Sequence, residues 1–136
     1  MTQGAEHYVH IMLIGEHVDH VYTAIEDANF HPKKRVYLIH SPDSKNTQFK
    51  KKASKVKKDI EKHSRTKVHL VQLSEKGAFT EEEIIQKISK IVKSEYPSKL
   101  GSPQQIAVNI TGGTNMMAVG AMLAVASNKT SAYYVL

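Results

Sequence analysis

The chain has 136 residues, 40% of them hydrophobic and 24% charged, the balance of one soluble globular domain with room for a real core. It has no cysteine, which excludes disulfides and thiolate metal sites, and no apolar run approaches the ~20 residues of a membrane span, so no membrane partner is expected. The N-terminus lacks a basic-then-apolar signal pattern, so a cytoplasmic protein is expected, and a formal net charge of +6 suits a polyanionic partner.

Taken in chain order, Tyr8 to Ile14 is a short apolar run ending at Gly15 and reads as a first strand. Val18 to Asn29 follows with Val18, Val21, Tyr22, Ile25 and Ala28 at helical spacing, closed by Asn29 and Pro32. Arg35 to His40 is a second strand, stopped by Ser41-Pro42-Asp43. Asn46 to Ser64 is a long amphipathic helix with Phe49, Ala53, Val56 and Ile60 as its apolar stripe. Its other face carries Lys50, Lys51, Lys52, Lys55, Lys57, Lys58 and Lys62. Lys67 to Leu73 is a third strand. Thr80 and Glu83 have the spacing of a capping box, opening a helix that runs to about Glu95 with Ile84, Ile88, Ile91 and Val92 inward. After Tyr96-Pro97 and a polar connection come a fourth strand (Ile106 to Ile110), a glycine turn, a helix from Asn115 to about Asn128, and a fifth strand from Ala132 to Leu136.

Strand and helix alternate throughout, which predicts an α/β Rossmann-like three-layer sandwich. The expectation is one domain over residues 1–136, with a mainly parallel sheet of about five strands and helices on both faces. The sequence stops inside a strand-like run, a pattern that suggests a domain cut from a longer protein.

The chemistry concentrates in Asn109-Ile-Thr-Gly-Gly-Thr-Asn115. A buried strand, a two-glycine turn and an apolar helix in that order aim backbone N–H groups and a helix N-terminus at one spot, which suits a phosphate. Thr111 and Thr114 add hydroxyls and Asn115 an amide; no charged residue lies in the turn. No Gly-Lys-Ser/Thr follows, so it is not a Walker loop, and the dinucleotide fingerprint belongs after the first strand rather than the fourth. In a doubly wound sheet strands one and four lie side by side where the strand order reverses, and ligands settle in the crevice there. Gly15, Glu16 and His17 then face Thr111 to Asn115. A Glu16 carboxylate opposes phosphate unless it takes a ribose hydroxyl or turns away, while His17 has the chemistry to stack on a base or to donate to phosphate. Ser41 ends strand two on the same edge and joins the candidates. His17 and His20 are three apart near a helix start with Asp19 between them, but a metal site needs converging ligands and a second shell, and neither metal nor cofactor is expected.

With strand, turn and helix in place, Asn109-Ile-Thr-Gly-Gly-Thr-Asn-Met-Met117 resembles the signature of CARF (CRISPR-associated Rossmann fold) domains. In that family the fourth strand runs into a Gly-Gly-Thr-Lys or Gly-Gly-Thr-Arg turn. The resemblance implies a sensor that binds a cyclic oligoadenylate, with cyclic tetra-adenylate the first choice, across the two-fold axis of a homodimer. It implies in turn a type III CRISPR-associated effector, fused or partner, such as a winged helix or a ribonuclease. The candidate ligand-binding set is Gly15, Glu16, His17, Ser41, Thr111, Gly112, Gly113, Thr114, Asn115 and Met116. Asn115 stands where many relatives carry Lys or Arg, which weakens the alternative of a stand-alone ring nuclease cutting by ribose 2′-hydroxyl attack. No general base is legible in the turn. The other alternative is a nucleic-acid-binding module using the Lys50–Lys62 face; a solvated lysine surface is the simpler reading of that helix.

Overall fold

A computed structural model describes residues 7–26, 34–75 and 80–135. Five strands, β1 (Val9–Ile14), β2 (Arg35–His40), β3 (Lys67–Gln72), β4 (Ile106–Asn109) and β5 (Ser131–Tyr133), form one sheet in the order β3-β2-β1-β4-β5. Every pairing is parallel, as strand–helix alternation requires. The connecting helices are α1 (Asp19–Glu26), α2 (Phe49–His63), α3 (Glu81–Glu95) and α4 (Asn115–Asn128).

β1 is the sheet's centre, and all six of its residues are buried. Its alternate side chains feed two cores, because successive residues of a strand point to opposite faces. Val9, Ile11 and Leu13 join Ile106 and Val108 of β4 against Ile84, Ile88 and Ile91 of α3 and Met117, Ala121 and Ala124 of α4. Met12 and Ile14 join Val36 and Leu38 of β2 against Val21 and Ala24 of α1 and Ala53, Val56 and Ile60 of α2. A continuous apolar run covered on both faces is the parallel-sheet signature, and the predicted α/β Rossmann-like fold is present.

α3 and α4 approach closely because Gly120 has no side chain. A Cβ there would meet Ile84 Cβ at 2.7 Å and the Glu81 carbonyl at 2.9 Å. At the far end of the sheet Arg35 Nε donates to both oxygens of the fully buried Glu95 carboxylate, at 2.7 and 2.6 Å. Removing that guanidinium would leave the buried carboxylate only the half-exposed Lys99, at 3.8 Å, at a cost of up to about 3–5 kcal/mol. The pair is structural and lies away from the carboxyl ends of the strands.

Several sequence expectations shift. α1 begins at Asp19, and its expected closure at Asn29 and Pro32 falls outside the described residues, as does Leu136. The Thr80–Glu83 capping box does not form: Thr80 makes no side-chain cap. Glu83 accepts instead from Ser74 N and Ser74 Oγ, both at 2.7 Å. Two charge-assisted bonds to the chain leaving β3 outcompete one bond to the helix's own first turn. Phe49, placed by its spacing in the α2 core stripe, is only half-buried and turns to the cleft described next.

Candidate functional site

β2 and β4 flank β1, so the chain winds outward in both directions from it. At that reversal the carboxyl ends of β1 and β4 pair in parallel register, Met12 opposite Asn109. The loops leaving the two strands, with residues of α1, α2 and the chain beyond β5, line a cleft of about 520 Å³. An α/β sheet offers a ligand site at such a place.

The turn 111–114 is held by its own side chains. Asn109, fully buried, accepts from Thr111 N through Oδ1 at 2.9 Å. Thr111 Oγ1 accepts from Val135 N at 2.6 Å, which ties the turn to the chain beyond β5. Gly112 and Gly113 have φ of 87° and 72°, the left-handed region that favours glycine. Thr114 then caps α4, its hydroxyl accepting from Met117 N at 3.1 Å, while Thr114 N points to Met117 Sδ at 3.4 Å.

Two close approaches fix the turn against β1 and α1. A Cβ on Gly15 would stand 2.8 Å from Gly113 N, so glycine at the end of β1 lets the two loops touch. A Cβ on Gly112 would stand 2.5 Å from the His20 ring. His20 is buried below Gly112, and its Nε2–H donates to the Leu13 carbonyl at 2.8 Å. Among the described residues neither Gly112 N nor Gly113 N has a hydrogen-bond acceptor. Both glycines are half-buried and line the cleft. Two donors in that state are the condition an incoming anion relieves, and the α4 dipole adds to the attraction.

Of the candidates named from sequence, Gly15, Glu16, His17, Ser41, Thr111, Gly112, Gly113 and Thr114 line the cleft. Asn115 and Met116 do not: both are exposed in the first turn of α4, beyond the lining. Ser41 is buried with its hydroxyl 4.0 Å from Met117 Sδ, and the Thr111 oxygen is engaged by Val135. The sequence reading missed Asp19, His20 and Thr23 of α1, Phe49 of α2, Met117 and Val135. His20 had one usable signal, its place in the first turn of the helix that follows β1.

The lining holds two carboxylates, Glu16 and Asp19, two imidazoles, His17 and His20, and neither lysine nor arginine. Positive potential at the turn therefore comes from main-chain dipoles. Lys52, outside the lining, donates from Nζ to the Glu16 carbonyl at 2.6 Å and pins the β1–α1 loop.

His7, His20 and His69 are each held below the ordinary imidazole value of 6.5, chiefly by burial. Lys67, Lys57 and Arg35 add to the lowering at His69. Just below ~6.5 the unfolded chain takes protons that the folded chain resists, so stability falls with pH. Thermal melts from about pH 7.5 down to about pH 5.5 are expected to show a declining midpoint, and His20→Gln, which keeps a donor for Leu13, should soften the decline. A flat profile would contradict this.

Among the described residues no helix is long and apolar enough to cross a membrane. No curated protein matches the chain. Among solved structures it is similar to Can2 from Sulfobacillus thermosulfidooxidans, determined in complex with cyclic tetra-adenylate. The TM-score is 0.69 at 21% identity, over 96% of this chain and 32% of Can2. At that identity the likeness is one of fold, and this chain spans about a third of the length of that relative. Residues 8–136 match the family described as "HFX_2341_N:-like, N-terminal", and the chain belongs to that family.

Proposed function

We propose that this chain is a CARF-type sensor domain. It binds a cyclic oligoadenylate, in the first instance cyclic tetra-adenylate, across a homodimer and regulates a fused or partner effector such as a winged helix or a ribonuclease. The observation that carries the proposal is the pair of acceptorless amides at Gly112 and Gly113, two residues of the cleft lining just before a 14-residue helix. Backbone donors at a helix N-terminus fit a phosphate diester. The Glu16 and Asp19 carboxylates are unsuited to phosphate but accept from ribose hydroxyls, and the half-buried Phe49 offers a face to a base. The likeness in fold to Can2, whose structure holds cyclic tetra-adenylate, supports the choice of ligand.

The dimer is argued from α4. Met117, Gly120, Ala121 and Ala124 are its buried side. Met116, Val119, Met122 and Leu123 are 36–48% exposed and fall together on the opposite side. A helix apolar all round is a helix covered all round. The open stripe starts at Met116, one turn from the glycines, so a two-fold axis along it brings two copies of the turn toward one ring. The covering partner proposed is a second copy of this chain.

Isothermal calorimetry with cyclic tri-, tetra- and hexa-adenylate tests the reading, with chromatography of the incubated ligand. Micromolar or tighter binding of one ring per two chains, with the ring intact, is the expected result. Linear products would make the domain a ring nuclease, and no binding of any ring would overturn the proposal.

A further inference from the structure

The outward face of α2 carries a row of lysines, and Lys51, Lys55, Lys58 and Lys62 take no part in the cleft lining. Lys51, Lys55, Lys58 and Lys62 fall within one narrow strip of the helix, directly opposite the buried Ala53, Val56 and Ile60. Lys50 and Lys57 flank it. A shallow groove of about 730 Å³ runs along its first half, lined by Lys45, Lys51, Lys52, Lys55 and Lys58 with polar side chains between them.

The strip is not neutralised from within. The two carboxylates of α2 both turn toward the body of the protein. Asp59 accepts from the Tyr22 hydroxyl at 2.5 Å, and Glu61 accepts from Val68 N at 3.0 Å. Among the described residues the ion pairs join Glu95 to Arg35 and to Lys99, and none includes a lysine of α2. A row of like charges on a rigid helix is held together at some electrostatic cost, which a polyanion relieves.

We infer that this lysine strip is a docking site for the phosphate backbone of a nucleic-acid duplex, independent of the cleft ligand. Charge complementarity selects a polyanion, and the lining selects among polyanions. No aromatic side chain lines the groove, so it lacks the stacking platform a single strand needs. No large apolar side chain lines it either, so it lacks the inserting face of a membrane-surface helix. What remains is a straight helix, ~22 Å long, offering lysines at roughly one-turn intervals to phosphates in sequence-independent contact.

Fluorescence anisotropy with a random-sequence DNA duplex of about 20 base pairs, across a salt series, tests the inference. Four phosphates neutralised predict a slope of log K against log salt of roughly −3 to −4. The K51E/K55E/K58E variant should bind at least tenfold more weakly, with the slope reduced by about two to three. Each Lys→Glu change removes two charges, so three bring the formal net charge from +6 to zero. The K87E/K90E/K93E variant on α3 makes the same change elsewhere and should keep most of the binding. Cyclic tetra-adenylate affinity should survive in the α2 variant, which separates this surface from the cleft. Absence of salt-dependent duplex binding would overturn the inference. So would equal losses in the two triple variants, or capture of anionic lipid vesicles in place of the duplex.

Discussion

Replacing Gly113 by Asp is expected to lower cyclic tetra-adenylate affinity at least a hundredfold while leaving the fold intact. Backbone geometry makes the experiment informative. At φ 72° most side chains are strained, but Asp and Asn are the residues that best tolerate this region. A Cβ at this position would stand 3.1–3.2 Å from the buried Met117 side chain, a crowding cost that Asp and Asn share and that thermal melts read. The carboxylate then sits among the amides argued to hold phosphate. Gly113→Asn has nearly the same shape without the charge and should lose roughly tenfold, about 1.4 kcal/mol. The difference between the two variants, read by calorimetry with thermal melts as the fold control, isolates electrostatics from crowding. Equal losses would mean that the turn matters only by shape, and unchanged affinity in both would remove the turn from the site.

The second large effect is expected from Val119→Glu with Leu123→Glu. Both side chains are nearly half exposed, at 48% and 47%, so the chain should fold without them. Two charges per chain on a helix stripe meant to face its own copy put four carboxylates together at the axis. Sedimentation of the wild-type chain with ligand should give a dimer. The double variant should give a monomer, and ring affinity should fall at least tenfold because each turn then holds only half the phosphates. A wild-type chain that stays monomeric with ligand bound, or a variant that stays dimeric, would contradict the proposed symmetry.

Order and type of the elements were readable from local pattern, because β1 and β2 are short apolar runs stopped by Gly15 and by Ser41-Pro42-Asp43, and α2 and α3 repeat their apolar residues every three or four positions. Element order then predicted the reversal beside β1 and with it the meeting of Gly15 and Gly113. Other features depended on contacts distant in sequence. Glu83 has the spacing of a helix cap, but its partner is Ser74, nine residues back across the end of β3. Phe49 follows the helix's apolar period, yet it sits in the first turn, where α2 overhangs the cleft. His20 reads as an ordinary helix residue; its burial under Gly112 arises only once α1 packs beside a turn more than ninety residues later. Asn115 and Met116 adjoin the signature in sequence, but the helix has already rotated them out of the cleft lining. Val135 joins the cleft because Thr111 Oγ1 holds its amide, a pairing no local pattern announces.

The central claim concerns two backbone N–H groups, and nuclear magnetic resonance reads them directly. In a titration of the isotopically labelled chain with cyclic tetra-adenylate, the amide signals of Gly112 and Gly113 should move downfield as they acquire phosphate acceptors. Those of Lys55, Lys58 and Lys62, on the outward face of α2, should stay in place. If the ring binds and the two glycine signals do not move, the phosphate is held elsewhere and the account is wrong.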